Sequence, residues 1–220
     1  MLSPSLTILD CDGVLLDSNT MKIAAFRTTL AAYPEGVVAR FSAYQARNFG
    51  RSRYVLFKDF FKFLEREPEA GELEHLLDRY AAIVRSAYLD VPLTPGCIET
   101  LVYLAGFGPV YIASGSDQTE LRWVMEQRSL SGYFTGIYGS PQSKADILTA
   151  LAPKSARRAL FVGDAKADLE AAQRHHWCDF VYMRRFAAAP AEMSLLIEGT
   201  GLPVINVLPD LYELLPEYSL

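Results

Sequence analysis

Only three cysteines occur in 220 residues, Cys11, Cys97 and Cys178, and none forms a C-x-x-C pair. That is too few for a disulfide framework and the wrong spacing for a zinc site. Basic residues are also in deficit. The 21 Lys and Arg stand against 26 Asp and Glu, for a formal charge of −5. A binder of phosphate backbones usually carries a basic surface, so no nucleic-acid partner is expected. No apolar run approaches a membrane span, and the N-terminus has neither a basic start nor an apolar stretch of signal-peptide length. A reduced, cytoplasmic setting without a membrane partner is the expectation. The short basic clusters are Arg51/Arg53, Arg157-Arg158 and Arg184-Arg185, the last two reading as solvated surface.

What is present is an ordinary globular composition, half apolar, in a chain long enough for one substantial domain or a domain with a smaller insert. Short apolar runs at 6–9, 109–113, 136–138, 159–162, 180–183 and 204–207 read as strands, several without polar alternation, as in strands buried on both faces. Amphipathic helical patterns lie between the later runs, for example Ile98, Leu101, Val102 and Ala105. This alternation predicts a Rossmann-like parallel α/β sheet. The C-terminal stretch 204–215 reads as one more strand and helix.

Residues 19–89 break the rhythm. They hold no convincing strand and at least three helical stripes: Ile23, Phe26, Leu30; then Phe57, Phe60, Phe61, Leu64; then Leu73, Leu76, Leu77, Tyr80. Breaks fall at 34–36, 48–50 and 67–68. The expected organisation is a core domain from 1–16 and 92–220, with an all-helical insert over 17–91.

In an open parallel sheet, ligands gather beyond the carboxyl ends of the strands. The first strand ends at Asp10, followed by Asp12. The second ends at Ser114-Gly115-Ser116, the loop after the third leads to Ser143-Lys144, and the fourth ends at Asp164, with Asp168 beyond it. Each residue alone has a plain structural reading, since Asp or Ser after a strand commonly caps the next helix. Together, Asp10, Asp12, Asp164 and Asp168 would repel strongly at short range. A hard divalent cation with oxygen ligands, expected to be Mg2+, would remove that conflict.

The set D10-C-D12-G-V, S114-G-S, Lys144 and G-D164-A-K-A-D168 resembles the four signature motifs of the haloacid dehalogenase superfamily over nearly the whole chain. The helical insert resembles that family's cap of the first type. The resemblance implies Asp10 as nucleophile, forming an aspartyl-phosphate, and Asp12 as the acid and then the base. It implies Mg2+ held by Asp10, the Asp12 backbone carbonyl and Asp164, with Asp168 in or beside that shell. Ser114 and the Gly115 amide would bind phosphoryl oxygens, and Lys144 would neutralise charge.

Within the superfamily, an acid at Asp12 disfavours dehalogenases, phosphonatases and transport ATPases. It leaves a phosphatase for a small phosphorylated metabolite, with a sugar phosphomutase as rival. A non-catalytic binding protein is the rival from another class. Two departures from the family pattern stand out. Lys144 is followed by Ala-Asp rather than Pro-x-Pro, which makes Lys166 the fallback and Lys154 a poor substitute. Ala165 replaces a frequent Ser or Thr. The segment Asn48-Phe49-Gly50-Arg51-Ser52-Arg53-Tyr54 could grip an anionic or sugar group through Arg51 and Arg53, or could be a solvated helix start. Asp17 is expected at the hinge of the insert or as the cap of the helix that follows. His175-His176 reads as a helix end rather than a metal site, because adjacent helical residues diverge.

Overall fold

The computed structural model describes Leu2, residues 4–153 and residues 158–216; Lys154 and Arg157 lie outside the described residues. Six parallel strands make one sheet: β1 (Pro4–Leu9), β2 (Val110–Asp117), β3 (Gly136–Ser140), β4 (Arg158–Gly163), β5 (Cys178–Met183) and β6 (Val204–Ile205). Their order is β3-β2-β1-β4-β5-β6. The chain winds outward from β1 to β3, then returns to the other side of β1 for β4. The β1/β4 boundary is therefore the switch point at which such sheets collect ligands.

Strand period fixes the two faces. Ile8, Phe161, Phe180 and Tyr182 pack on one side with Ile147, Leu148 and Leu169. Leu9, Leu160, Val162 and Val181 pack on the other with Leu101, Leu104 and Val124. The covering helices are α5 (Cys97–Ala105), α6 (Gln118–Gln127), α7 (Lys144–Ala150), α8 (Lys166–Gln173) and α9 (Pro190–Ile197). The C-terminal stretch differs from expectation. It forms a two-residue strand and a 3-10 turn over Leu208–Glu213. The buried Leu208 and Leu211 lie three apart, which suits a three-residue turn, and Pro209 opens it. Among the described residues no helix is long and apolar enough to cross a membrane.

The insert between β1 and α5 is helical: α1 (Asn19–Thr29), α2 (Glu35–Arg47), α3 (Arg53–Phe63) and α4 (Glu72–Ala87). Its core is aromatic. Phe26 lies 4.7 Å from Phe57 and 4.3 Å from Tyr80, and Phe41 meets Phe60 edge-on at 5.1 Å. Helix α2 answers to none of the expected stripes. It buries only Val38, Phe41 and Gln45, a seam too narrow and too polar to stand out.

The outgoing and returning connections run side by side. Leu16 bridges Leu93, the Asp17 amide donates to the Pro92 carbonyl at 3.0 Å, and the Thr94 amide donates to the Leu15 carbonyl at 2.9 Å. Asp17 joins this pairing through its backbone only. The N-cap of α1 is Ser18, whose side chain makes no capping bond because its hydroxyl turns to Asp12.

Candidate active site

Asp10 is the first residue beyond β1. Its amide donates to the Val162 carbonyl at 2.9 Å, so the ladder fixes its backbone. Its Oδ1 accepts from the Cys11 amide at 2.7 Å and its Oδ2 from Lys144 Nζ at 2.8 Å. The chain then turns sharply at Gly13, where φ is +75° and an added Cβ would lie 2.3 Å from Asp164 Oδ2. Only glycine lets the turn pass under that carboxylate.

Asp164 follows β4. Its Oδ2 accepts from Asn19 Nδ2 at 2.6 Å, while its buried Oδ1 has no hydrogen-bond partner. Asp168, in the first turn of α8, accepts from the Ala165 amide at 3.0 Å through Oδ2 and from Lys144 through Oδ1. Lys144 opens α7, whose N-cap Ser143 accepts from the Asp146 amide at 3.2 Å, and its ammonium bridges Asp10 and Asp168. Lys166, by contrast, faces outward and pairs with Glu170 at 3.7 Å.

Carboxylate oxygens of the buried Asp10, Asp164 and Asp168 lie within 4.8 Å of one another. Against three carboxylates the cluster holds one ammonium. Burial pushes the Asp10 carboxyl up to about 7, against the pull of Lys144 and with repulsion from Asp168 and Asp12 adding to the rise. Burial, with Asp10 and Asp168 nearby, also raises Asp164 well above the usual carboxylate range. Burial disfavours the charged form of Lys144, but Asp10 and Asp168 outweigh it and raise its pKa. An all-oxygen donor set with one unpartnered buried oxygen on Asp164 fits a hard divalent cation.

Asp12 is held apart from this cluster. Its Oδ1 accepts from Ser18 Oγ at 2.5 Å and Tyr88 Oη at 2.6 Å, and its Oδ2 from Lys22 Nζ at 2.5 Å and Ser116 Oγ at 2.9 Å. Burial opposes its ionisation. The charge and hydrogen bond of Lys22, with Ser18 and Tyr88, outweigh that and hold the carboxyl below the ordinary range. Two neighbouring acids thus have opposite environments.

Ser114 is fully buried within β2, and its Oγ accepts from the Ser116 amide at 3.1 Å. Gly115 and Ser116 reach the cavity together with Asp10, Asp12, Lys22 and Arg53. A Cβ on Gly115 would lie 2.4 Å from the Gly50 carbonyl oxygen, so the 48–54 loop closes directly on this strand end. Arg51 donates to Tyr44 Oη at 2.8 Å and to Asp59 at 2.9 Å. Arg53 is buried in a two-pronged ion pair with Glu120 of α6, and its guanidinium lies 4.8 Å from the Tyr80 ring centre. His175 lies past the end of α8, its ring 5.0 Å from Trp177.

Sequence reasoning passed over Ser18, Asn19, Lys22, Tyr88, Ser116 and Glu120. Lys22 had a signal. It precedes Phe26 by one helical turn and so shares the buried face of α1.

The sequence pattern of the haloacid dehalogenase-like hydrolases matches residues 5–176. The chain belongs to this family. No curated protein matches it. Among solved structures, this haloacid dehalogenase-like hydrolase is similar to a protein of Haemophilus somnus described as a predicted phosphoglycolate phosphatase, at 16% identity and TM-score 0.74, over 97% of this chain and 99% of that one. It is similar to a hydrolase from Pseudomonas syringae at 22% identity and TM-score 0.74, over 94% and 95% of the two chains. A Bacillus subtilis protein described as a putative HAD-hydrolase, solved bound to magnesium and with interdomain movement, matches at 16% identity and TM-score 0.66, over 97% and 99%. At these identities the likeness shows the fold.

Proposed function

We propose that this hydrolase is a Mg2+-dependent phosphatase of small phosphorylated metabolites, acting through an aspartyl-phosphate on Asp10. The observation that carries the reading is the division between Asp10, which shares Lys144 with Asp168 at the cation-fitting cluster, and Asp12, which is isolated on its own donors. Attack and proton transfer need two carboxyl groups in different environments. In this reading residues 17–91 act as a cap domain on the core formed by 1–16 and 92–220, and the free thiols suit a reduced, cytoplasmic setting.

Asp10, Asp164 and the Asp12 carbonyl would hold Mg2+, with Asp168 beside them, anchoring Lys144. The cation supplies charge neutralisation on the phosphoryl oxygens. Asp10 attacks phosphorus as the bond from phosphorus to the alcohol oxygen breaks, and Lys144 offsets the charge on both groups. That alcohol oxygen takes a proton from Asp12. Water then attacks phosphorus, its proton returns to Asp12, and phosphate leaves Asp10 as a free carboxylate. Approach of an anionic ester, with loosening of Lys22, raises the proton affinity of Asp12, which takes up from solvent the proton it gives in the first step. Ser114, through its bond from the Ser116 amide, would fix the end of β2 from which the Gly115 amide meets the phosphoryl group.

The cavity at Asp10 and Asp12 has a volume of about 30 Å³, room for a water or two and not for an ester. A groove of about 290 Å³, lined by Lys144, Ser143 and Gln142, lies across the Gly50–Gly115 contact. Movement of the 48–54 loop would join the two. Phosphate release from a panel of sugar, acid and nucleotide phosphates with Mg2+ tests this reading. Release that is abolished in Asp10→Asn supports it. Isomerised sugar phosphate without release would point to a mutase instead.

A further inference from the structure

The phosphatase reading gives Lys22 no part beyond its hold on Asp12, and the inference that follows rests on that reading. A lysine is rarely buried unless paired, and Lys22 is 7% exposed on the inward face of α1. Its ammonium donates to Asp12 Oδ2 at 2.5 Å and Ser116 Oγ at 2.6 Å, and lies 5.0 Å from the Tyr88 ring centre.

The two oxygens of Asp12 are held from different sides. Oδ1 is gripped by Ser18 and Tyr88, neither of which lines the cavity. Oδ2 is gripped by Lys22 and Ser116, both of which line it beside Asp10. Oδ2 is thus the oxygen turned toward the reacting group, and Lys22 stands where the alcohol portion of an ester must lie.

An ammonium has three donors, and two are engaged here. The other cations of the wall are committed, Arg51 to Asp59 and Arg53 to Glu120. Lys22 alone among the three holds Asp12, and it does so with only part of its donor capacity. Ser116 Oγ remains 2.9 Å from Asp12 Oδ2 and keeps that oxygen satisfied.

We propose that Lys22 reads the alcohol portion of the substrate, giving up its Asp12 or Ser116 contact to bond an oxygen acceptor on the carbon next to the ester carbon. The selected class is a phosphate ester whose alcohol carries an adjacent hydroxyl or carboxylate, in preference to a plain alkyl chain. Lys22 selects the leaving group in the same movement that frees Asp12 Oδ2 to serve it.

Propyl phosphate, 2-hydroxyethyl phosphate and carboxymethyl phosphate differ at that one position. Their kcat/KM values are compared in the native enzyme, Lys22→Met and Lys22→Arg, with Mg2+ present. Lys22→Met is expected to lose about tenfold more, or beyond, on the two oxygen-bearing esters than on propyl phosphate, with Lys22→Arg retaining part of the preference. A greater loss on the carboxymethyl ester assigns charge pairing; matched losses on the two assign a hydrogen bond. Equal losses on all three esters would overturn the proposal and leave Lys22 a support for Asp12 alone. Titration calorimetry of the same esters on Asp10→Asn, with and without Lys22→Met, reads the preference without turnover. A native enzyme that releases no phosphate would thus defeat the phosphatase reading separately. If Lys22→Met does not fold, Lys22→Gln carries the same comparison.

Discussion

At the scale of single residues, the site is an unbalanced charge cluster beside a balanced one. Asp10 and Asp168 share Lys144 beside Asp164, whereas Asp12 has Lys22 and three hydroxyls to itself. The folded chain holds the Asp10 proton more tightly than the unfolded chain, where the carboxyl titrates near 3.8. In the metal-free protein that contribution to stability is complete below 3.8 and lost as pH rises through about 7. Asp12 has the opposite sign; its contribution is present above 3.8 and lost as pH falls. A bound divalent cation would take the place of the protons that burial holds on Asp10 and Asp164. The rise in Tm on adding Mg2+ should therefore grow between about pH 5 and about pH 8, and a rise that shrank over that range would contradict the cluster's role. Asp164→Asn should remove the Mg2+ shift and raise the metal-free Tm at pH 8 by about 2–4 °C per kcal/mol of repulsion relieved, as read by thermal melting. Lys144→Ala should cut kcat by about a hundredfold or more. Lys166→Ala should stay within about threefold, since Lys166 pairs only with its helix neighbour Glu170.

At the scale of elements, the insert is clasped to the sheet by few contacts of known chemistry. Arg53 of α3 pairs with Glu120 of α6, Tyr54 Oη donates to Asp117 Oδ2 at 2.9 Å, and the Arg85 guanidinium lies 4.2 Å from the Trp123 ring centre. The Arg53–Glu120 pair is buried on both sides, so losing one partner strands the other charge. Arg53→Met should cost about 3–5 kcal/mol in chemical denaturation, and adding Glu120→Leu should restore most of it. Additive losses would show that the two do not act as a pair. Arg53, anticipated as a substrate grip, is thus engaged between the helical insert and α6. Gly115 makes a further point of closure. Gly115→Ala places a methyl group 2.4 Å from the Gly50 carbonyl and should hold the loop away from the strand end, lowering kcat more than folding stability.

At the scale of the whole molecule, the parallel sheet and the gathering of candidate site residues at its edge were legible because both follow from local pattern. Unbroken apolar runs marked β1, β2, β4 and β5, and past the first three of these runs stood acids and hydroxyls that a strand end brings to one edge. The strand of Ser114 runs on to Asp117 because that segment still pairs with Ser140, which no run of apolar residues announces. Partners drawn from the insert were not legible. Tyr88 and Lys22 meet Asp12 only because α1 and α4 pack together over the sheet edge, a contact between distant segments that periodicity cannot encode. Lys22 is hidden further because the apolar residues of this helix point to a stripe through Ile23, whereas the buried face runs through Asn19, Lys22 and Phe26. The 48–54 loop was recognisable as unusual, while the commitment of its arginines to Asp59 and Glu120 was not. All of this organisation converges on one carboxylate, Asp10, the proposed carrier of the phosphoryl group. Acid quenching during turnover, followed by peptide mass spectrometry, should find one added phosphoryl group on the peptide containing Asp10, absent in Asp10→Asn. A phosphoryl group on any other residue, or phosphate release undiminished in Asp10→Asn, would contradict it.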